Sequence, residues 1–526
     1  MLLTNIYTAV FAALLVIGFF FRKSENHSAT KAVDLCFCIA VAFMASTFFS
    51  VFPLTKTYTY TDSSVFIYIG KMMQRGYVPY RDLFDHKGIL LYVIQFFGSI
   101  LTPESLTGIW LIEVGHMIFT TCMLFKIAGL FTEDRIVKYI SVIAVVIMCG
   151  MNTYEGGNFT EEYALPWISL ALYIFLKYFR NFEYQFKEII CLGIGFAVVA
   201  LLRVNMAVIW AVMMPVVLGI MLWKHQWKDI GTCAMGFCLG LVLIFVPIFI
   251  YLLCTGSFQD FIQCYISFNF GYSDGGSNWA GVSSAILKGL KNLPYAVAAI
   301  VLSLWPHIKN RLYAINFLIL TVSLYFAHMS GRYYQHYGII LLPMLVVVFV
   351  CALSNLYEIL SIKGRIGFKM KLPGKVVMIP GLVLAVLAAF FLQYKWANLI
   401  REPMMQAGGV SQLTEYIKDN SSEEDDVLIV GNDSKYYLLA DRYTKNKYFY
   451  QTPPIKINDD IYKEFMEEVE ECNSELIVVM GNKEACLERE DNLGAVYHYF
   501  EEQSASGAYS CETFEDFYVY KRVVKE

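Results

Sequence analysis

Residues 89–101 read ILLYVIQFFGSIL, thirteen residues without a charge. A helix of that length rises about 20 Å, too little for a hydrocarbon layer of about 30 Å. Runs of spanning length surround it. They fall at about 3–21, 33–53, 106–130, 137–151, 163–179, 188–203, 206–223, 230–254, 290–306, 311–328, 337–356 and 376–395. Counting 89–101 as a thirteenth span reverses every later loop. Leaving it out, with both termini outside, puts six basic groups on one side. These are Arg22, Lys23 and Lys31; Arg135 and Lys138; Lys177, Arg180 and Lys187; Lys224 and Lys228; Lys309 and Arg311; and Lys363, Arg365, Lys369, Lys371 and Lys375. Lysine and arginine mark cytoplasmic loops, so 89–101 reads as a helix lying at the outer interface. Ser63 to Arg75 precedes it with apolar Val65, Ile69, Met72 and Met73, a spacing that suits a second interfacial helix.

Composition agrees. Of 526 residues 57% are hydrophobic and 16% charged, against about 25% charged in a soluble domain. Trp396 to Glu526 holds 27 acidic and 13 basic residues, whereas the first 395 hold 18 and 28. The expected fold is therefore a polytopic α-helical membrane domain over 1–395, with an outer loop at 54–105, followed by an extracytoplasmic α/β domain over 396–526. Strand-like runs at Val427 to Val430, Leu476 to Met480 and Phe517 to Lys521 alternate there with helical patterns at Val410 to Lys418 and Asp460 to Glu471. No basic residue precedes the first apolar run and no cleavage pattern follows it, so no signal peptide is expected. Ten of the thirteen cysteines lie in or beside apolar runs. Cys472, Cys486 and Cys511 sit in the tail and form at most one bridge.

On this topology the outer loops gather ionisable groups where the bilayer begins. The first holds Asp62, then Arg81, Asp82, Asp85, His86 and Lys87 in YRDLFDHKG; the second holds Glu161 and Glu162 in NFTEEYALPW. Arg203 stands in a hydrophobic hairpin on the side that otherwise avoids cations, and GRYYQHYG carries Arg332, Tyr333, His336 and Tyr337. Such residues at membrane depth face a cavity or a partner. Carboxylates beside cations suit a site that activates a hydroxyl and holds a phosphate. Each has a structural alternative: Asp62 as a helix N-cap, Asp82 and Asp85 as turn caps, Lys87 as a snorkelling lysine, one of the two glutamates as a cap, and His336 as an interfacial hydrogen-bonder. His116 and His328 read as structural.

The order of Asp62, YRDLFDHKG, the glutamate-bearing loop, the arginine hairpin and RYYQHY resembles the GT-C superfamily of membrane glycosyltransferases. Within it, family 39 is the nearest in pattern, with its protein O-mannosyltransferases and lipid A aminoarabinose transferases. That resemblance implies inverting transfer of a sugar from a polyprenyl-phosphate donor to an acceptor hydroxyl at the outer face of a bacterial cell membrane. It implies Asp62 as catalytic base, Lys87 and Arg203 as donor-phosphate ligands, and Glu161 ahead of Glu162 as the second-loop acid. Gly88 stands where the family usually has proline. Some relatives hold a metal beside the lysine; Asp85, His86 and His336 are the residues available for a divalent ion here, and no other cofactor is required. The acceptor, whether glycan, lipid or protein, is not specified. No P-loop, dinucleotide fingerprint or DxD motif supports a nucleotide donor, and no nucleic-acid partner is indicated. The competing readings are a transporter or flippase of lipid-linked sugars, a polymerase or ligase using pyrophosphate-linked glycans, and a non-catalytic anchor for the tail.

Overall fold

The structure is a computed structural model that describes residues 27–53, 61–270, 279–307, 309–364, 408–452, 454–480, 486–514 and 517–523. The expected spans at 3–21 and 376–395, the basic residues Arg22, Lys23, Arg365, Lys369, Lys371 and Lys375, and the boundary at 395/396 lie outside the described residues.

Helix α1 covers His27–Ser46, α2 Thr61–Gln74, α3 Ile89–Leu101 and α4 Thr107–Gly129. Helix α5 covers Arg135–Ile143 and continues through a π segment and a 3-10 turn to Asn152. Then come α6 (Thr160–Asn181), α7 (Phe186–Ala200), α8 (Val208–Trp223) and α9 (Trp227–Cys254). Helices α10 (Trp279–Asn292) and α11 (Pro294–His307) are followed by α12 (Arg311–His328) and α13 (Leu342–Gly364). Each of the ten expected spans within the described residues falls largely on helix, although the one at 33–53 is helical only to Ser46. Among the described residues, five helical stretches are long and apolar enough to cross a membrane unaided, or six if α10 and α11 form one broken span.

The 89–101 segment is a thirteen-residue helix with the expected ends, packed beside α2. One expectation needs correction. The run at 290–306 is not a straight span: it starts eleven residues earlier and bends by 91° ahead of Pro294. Proline has no N–H to continue a helix, and it disfavours helical geometry in the residue before it. Several helices start with caps in the basic loops. Asp134 accepts from the Ile136 amide at 2.8 Å, Asn310 accepts from the Leu312 amide at 2.9 Å, and Gln185 with Glu188 forms a capping box.

The C-terminal region has α14 (Gly408–Asp419), α15 (Lys435–Ala440), α16 (Asp459–Cys472) and α17 (Asn492–Ala505) around a four-stranded sheet. Strands β1 (Val427–Val430), β2 (Leu476–Val479), β3 (Tyr509–Phe514) and β4 (Phe517–Arg522) run in the order β1-β2-β4-β3. The β1–β2 pair is parallel, with Val427 opposite Leu476, and the other pairs are antiparallel. VLIV and LIVV are buried throughout, as strands covered on both faces must be. Cys486 and Cys511 are free thiols, so the tail has no bridge between them.

Candidate functional site

The tip of the loop between α2 and α3 is stitched to the turn between α7 and α8. Gly88 N–H donates to Leu202 O at 3.0 Å and Leu90 N–H to Leu201 O at 3.2 Å. A Cβ on Gly88 would stand 1.9 Å from Leu201 O. This explains the departure from proline: the position needs both an amide donor and bare backbone. Gly88→Ala is expected to lower stability by about 3 kcal/mol, read as an earlier thermal unfolding of the purified protein; an unchanged transition would show that the two loops are not in contact.

The stitch brings Lys87 and Arg203 to one place. Lys87 Nζ lies 2.8 Å from His86 Nε2. Burial, then the Lys87 charge and more weakly that of Arg203, depress the His86 imidazole below its ordinary pKa, against the opposing pull of Asp85. The ring nitrogen that faces the Lys87 ammonium accepts from it, which a protonated imidazole could not do. Asp85 is 2% exposed. Its Oδ1 accepts from the His86 amide at 2.7 Å and the Tyr450 hydroxyl at 2.7 Å, and its Oδ2 from Tyr92 at 2.8 Å. Burial alone would raise this carboxyl, but His86, Lys87 and Tyr450 hold it well below the usual range.

Arg203 donates through Nη1 to Glu161 Oε1 and through Nη2 to the Tyr337 hydroxyl at 3.1 Å, with its guanidinium 4.7 Å from the Tyr337 ring centre. Tyr265 braces the turn by donating to Ala200 O at 2.5 Å and accepting from Val204 N–H at 3.1 Å. Glu162 turns the other way: its Oε2 accepts from the Asn158 amide at 2.8 Å. The Asn158 side chain in turn donates to Ser63 at 2.7 Å and accepts from Gln95 at 2.6 Å and Tyr163 at 2.7 Å. The loop that makes these contacts has positive φ at Glu155, Gly156, Gly157 and Asn158, left-handed backbone that non-glycine residues adopt at some strain. Glu155 Oε2 lies 2.8 Å from His336 Nδ1, and the His336 ring stacks on Phe159 at 4.4 Å.

Asp62 lies in the first turn of α2, next to Ser63. Its charge reaches both Tyr334 and Tyr450 and raises their hydroxyls, although burial is the larger cause for each. Among the described residues its carboxylate has no hydrogen-bond or ion-pair partner. The structure thus gathers Asp62, Asp85, His86, Lys87, Glu161, Arg203, His336 and Tyr337 at one end of the helical domain. Asp82 stands apart: it pairs with Arg81 at 2.7 Å and accepts the Val78 amide at 2.8 Å, closing its own turn. Tyr333 stacks parallel to His328, and Arg332 lies on the same loop. His116 and His328 each hydrogen-bond a carbonyl one turn back, as structural histidines do.

A divalent ion does not fit the residues that the resemblance offers. Asp85 already accepts from three donors, His86 Nε2 meets the Lys87 ammonium, and His336 Nδ1 meets Glu155. Among the described residues no cluster of three potential ligands occurs. A narrow apolar crevice opens beside the site between α10, α11 and α12, lined by Leu293, Ala296, Ile300, Leu320, Leu324 and Gly338.

Sequence reasoning missed Tyr450, Glu155, Asn158 and Glu113. The last is wholly buried in α4, beside Glu162. Only Glu113, a carboxylate inside an apolar run, carried a signal that could have found it.

Residues 23–379, more than half of the chain, match the family described as the competence-induced protein Ccs4 N-terminal domain. No curated protein matches the sequence. In three dimensions the chain is similar to ArnT from Cupriavidus metallidurans bound to undecaprenyl phosphate, with a TM-score of 0.64 at 10% identity, over 95% of this chain and 99% of that one. It is also similar to ArnT from the same organism in the apo state, with a TM-score of 0.55 at 11% identity, over 94% and 98%. The chain therefore has the GT-C fold of ArnT.

Proposed function

The chain belongs to the competence-induced protein Ccs4 N-terminal domain family, and from the site it carries on a GT-C fold we propose that it is a membrane glycosyltransferase using a polyprenyl-phosphate sugar. The family's description specifies no reaction, so the reading rests on the site. The observation that carries it is the pair of backbone hydrogen bonds joining the Lys87 loop to the Arg203 turn. Two cations from distant stretches of chain meet there, the arrangement needed to neutralise a phosphate as it leaves. Asp62 deprotonates the acceptor hydroxyl, and direct attack on the anomeric carbon inverts it. The likeness to a structure bound to undecaprenyl phosphate supports that class of donor.

The domains divide at 395/396. The reaction takes place at the outer face of a bacterial cell membrane, with the C-terminal domain on the same side. The acceptor is a hydroxyl of a glycan, lipid or protein. The test is purified full-length protein in nanodiscs with a panel of polyprenyl-phosphate sugars and cell-envelope extract as acceptor. Release of free polyprenyl phosphate with inverted product is expected. Movement of intact donor across the bilayer without release would make the protein a transporter and sink the proposal.

A further inference from the structure

The C-terminal region does more than cover the helical domain. Its segment from Thr444 to Tyr450 runs along the first outer loop. Lys447 O accepts the Phe84 amide at 2.9 Å, and the Thr444 amide donates to the buried Tyr68 hydroxyl at 3.1 Å. Tyr68 in turn packs against Tyr437 and Phe449, and Phe84 against Tyr448. At the end of this seam Tyr450, 4% exposed, donates its hydroxyl to Asp85 Oδ1 at 2.7 Å.

From Asp85 a line of contacts leads to the cation site. Asp85 Oδ1 is 3.3 Å from His86 Nδ1, and His86 Nε2 is 2.8 Å from Lys87 Nζ. A lysine ammonium has three donors and no acceptor. The ring nitrogen facing it must therefore be bare, and the ring proton sits on Nδ1, towards Asp85. Asn269 fixes the backbone of the same residue by donating to His86 O at 2.7 Å, and Tyr80 donates to Lys87 O at 2.7 Å. Asp85 accepts from three donors, one of them on a residue 365 positions away.

We propose that Tyr450 is a positioning residue through which the C-terminal domain completes the phosphate site: it clamps Asp85, Asp85 orients the His86 ring, and the ring aims the Lys87 ammonium. The inference rests on the reading of Lys87 as a phosphate ligand. It assigns the C-terminal domain a direct part in donor binding, and docking of the seam and readiness of Lys87 become one event.

The test uses full-length protein in nanodiscs, labelled with ¹⁵N-histidine, with the His86 signal identified by its loss in His86→Gln. Tyr448→Phe is the matched control, because that hydroxyl bonds Glu464 at 2.6 Å within the C-terminal region. In the unaltered protein His86 is expected as the Nδ1–H tautomer. Tyr450→Phe is expected to return it to a tautomer mixture and to weaken undecaprenyl phosphate binding about tenfold, while Tyr448→Phe changes neither. A His86 signal unmoved by Tyr450→Phe overturns the proposal, as does equal loss of binding in both tyrosine variants. Lys87→Ala separates the underlying reading: if that variant binds undecaprenyl phosphate like the unaltered protein, the phosphate role of Lys87 is wrong, whatever the tautomer does.

Discussion

Asp62→Asn is expected to yield protein that inserts and unfolds like the unaltered chain but transfers sugar about a thousandfold more slowly. The substitution keeps size and polarity and removes only the ability to take a proton. Stability is expected to hold because, among the described residues, the carboxylate pairs with nothing. Its neighbour Ser63 is held by Asn158, so the start of α2 stays in place without the charge. A carboxylate in the first turn of a helix gains modestly from the helix dipole, a loss too small to disturb the fold. The informative comparison is with Asp85→Asn. Asp85 accepts three hydrogen bonds in a buried setting, so its replacement perturbs Lys87 and the domain seam together and lowers both binding and stability. If Asp62→Asn turns over at the original rate with polyprenyl-phosphate sugar present, Asp62 is not the base.

How legible all this was follows from the range over which each feature is encoded. The helices were legible because apolar runs and their charged ends are local. The short helix at 89–101 emerged from length alone, together with the balance of charge in the loops after it. The bend before Pro294 was missed because Lys288 and Lys291 interrupt the apolar pattern and hide a helix that begins at Trp279. Strand β3 was missed because YSCETF, lying at the sheet edge, is mostly exposed and lacks the apolar run that betrayed its partners. In the site, Lys87 and Arg203 were found as charges in unexpected places. Their meeting depends on Gly88 and Leu202, which carry no chemical signature. Tyr450 is one of 36 tyrosines, and only the fold distinguishes it. Motifs mark groups that react, whereas the residues that aim those groups are chosen by packing across hundreds of positions.

Arg203 offers the sharper separation of structure from chemistry. Its guanidinium spans Glu161 and Tyr337, and Glu161 is only 3% exposed. Arg203→Met strands that carboxylate in a buried site, so stability is expected to fall by about 3 kcal/mol, and activity is expected to be lost with it. Alone, this result would be ambiguous. Adding Glu161→Gln removes the stranded charge, and the double variant is expected to recover most of the lost stability in thermal unfolding. Activity is expected to stay absent, because the cation that meets the departing phosphate is still missing. Arg203→Lys retains a charge but not the fork that reaches two partners; it is expected to raise the donor KM about tenfold or more while kcat falls less. Recovery of turnover in the double variant would mean that Arg203 serves only to neutralise Glu161. In that case the anion site would contain Lys87 alone, and the proposed transfer would lose half of the positive charge on which it depends.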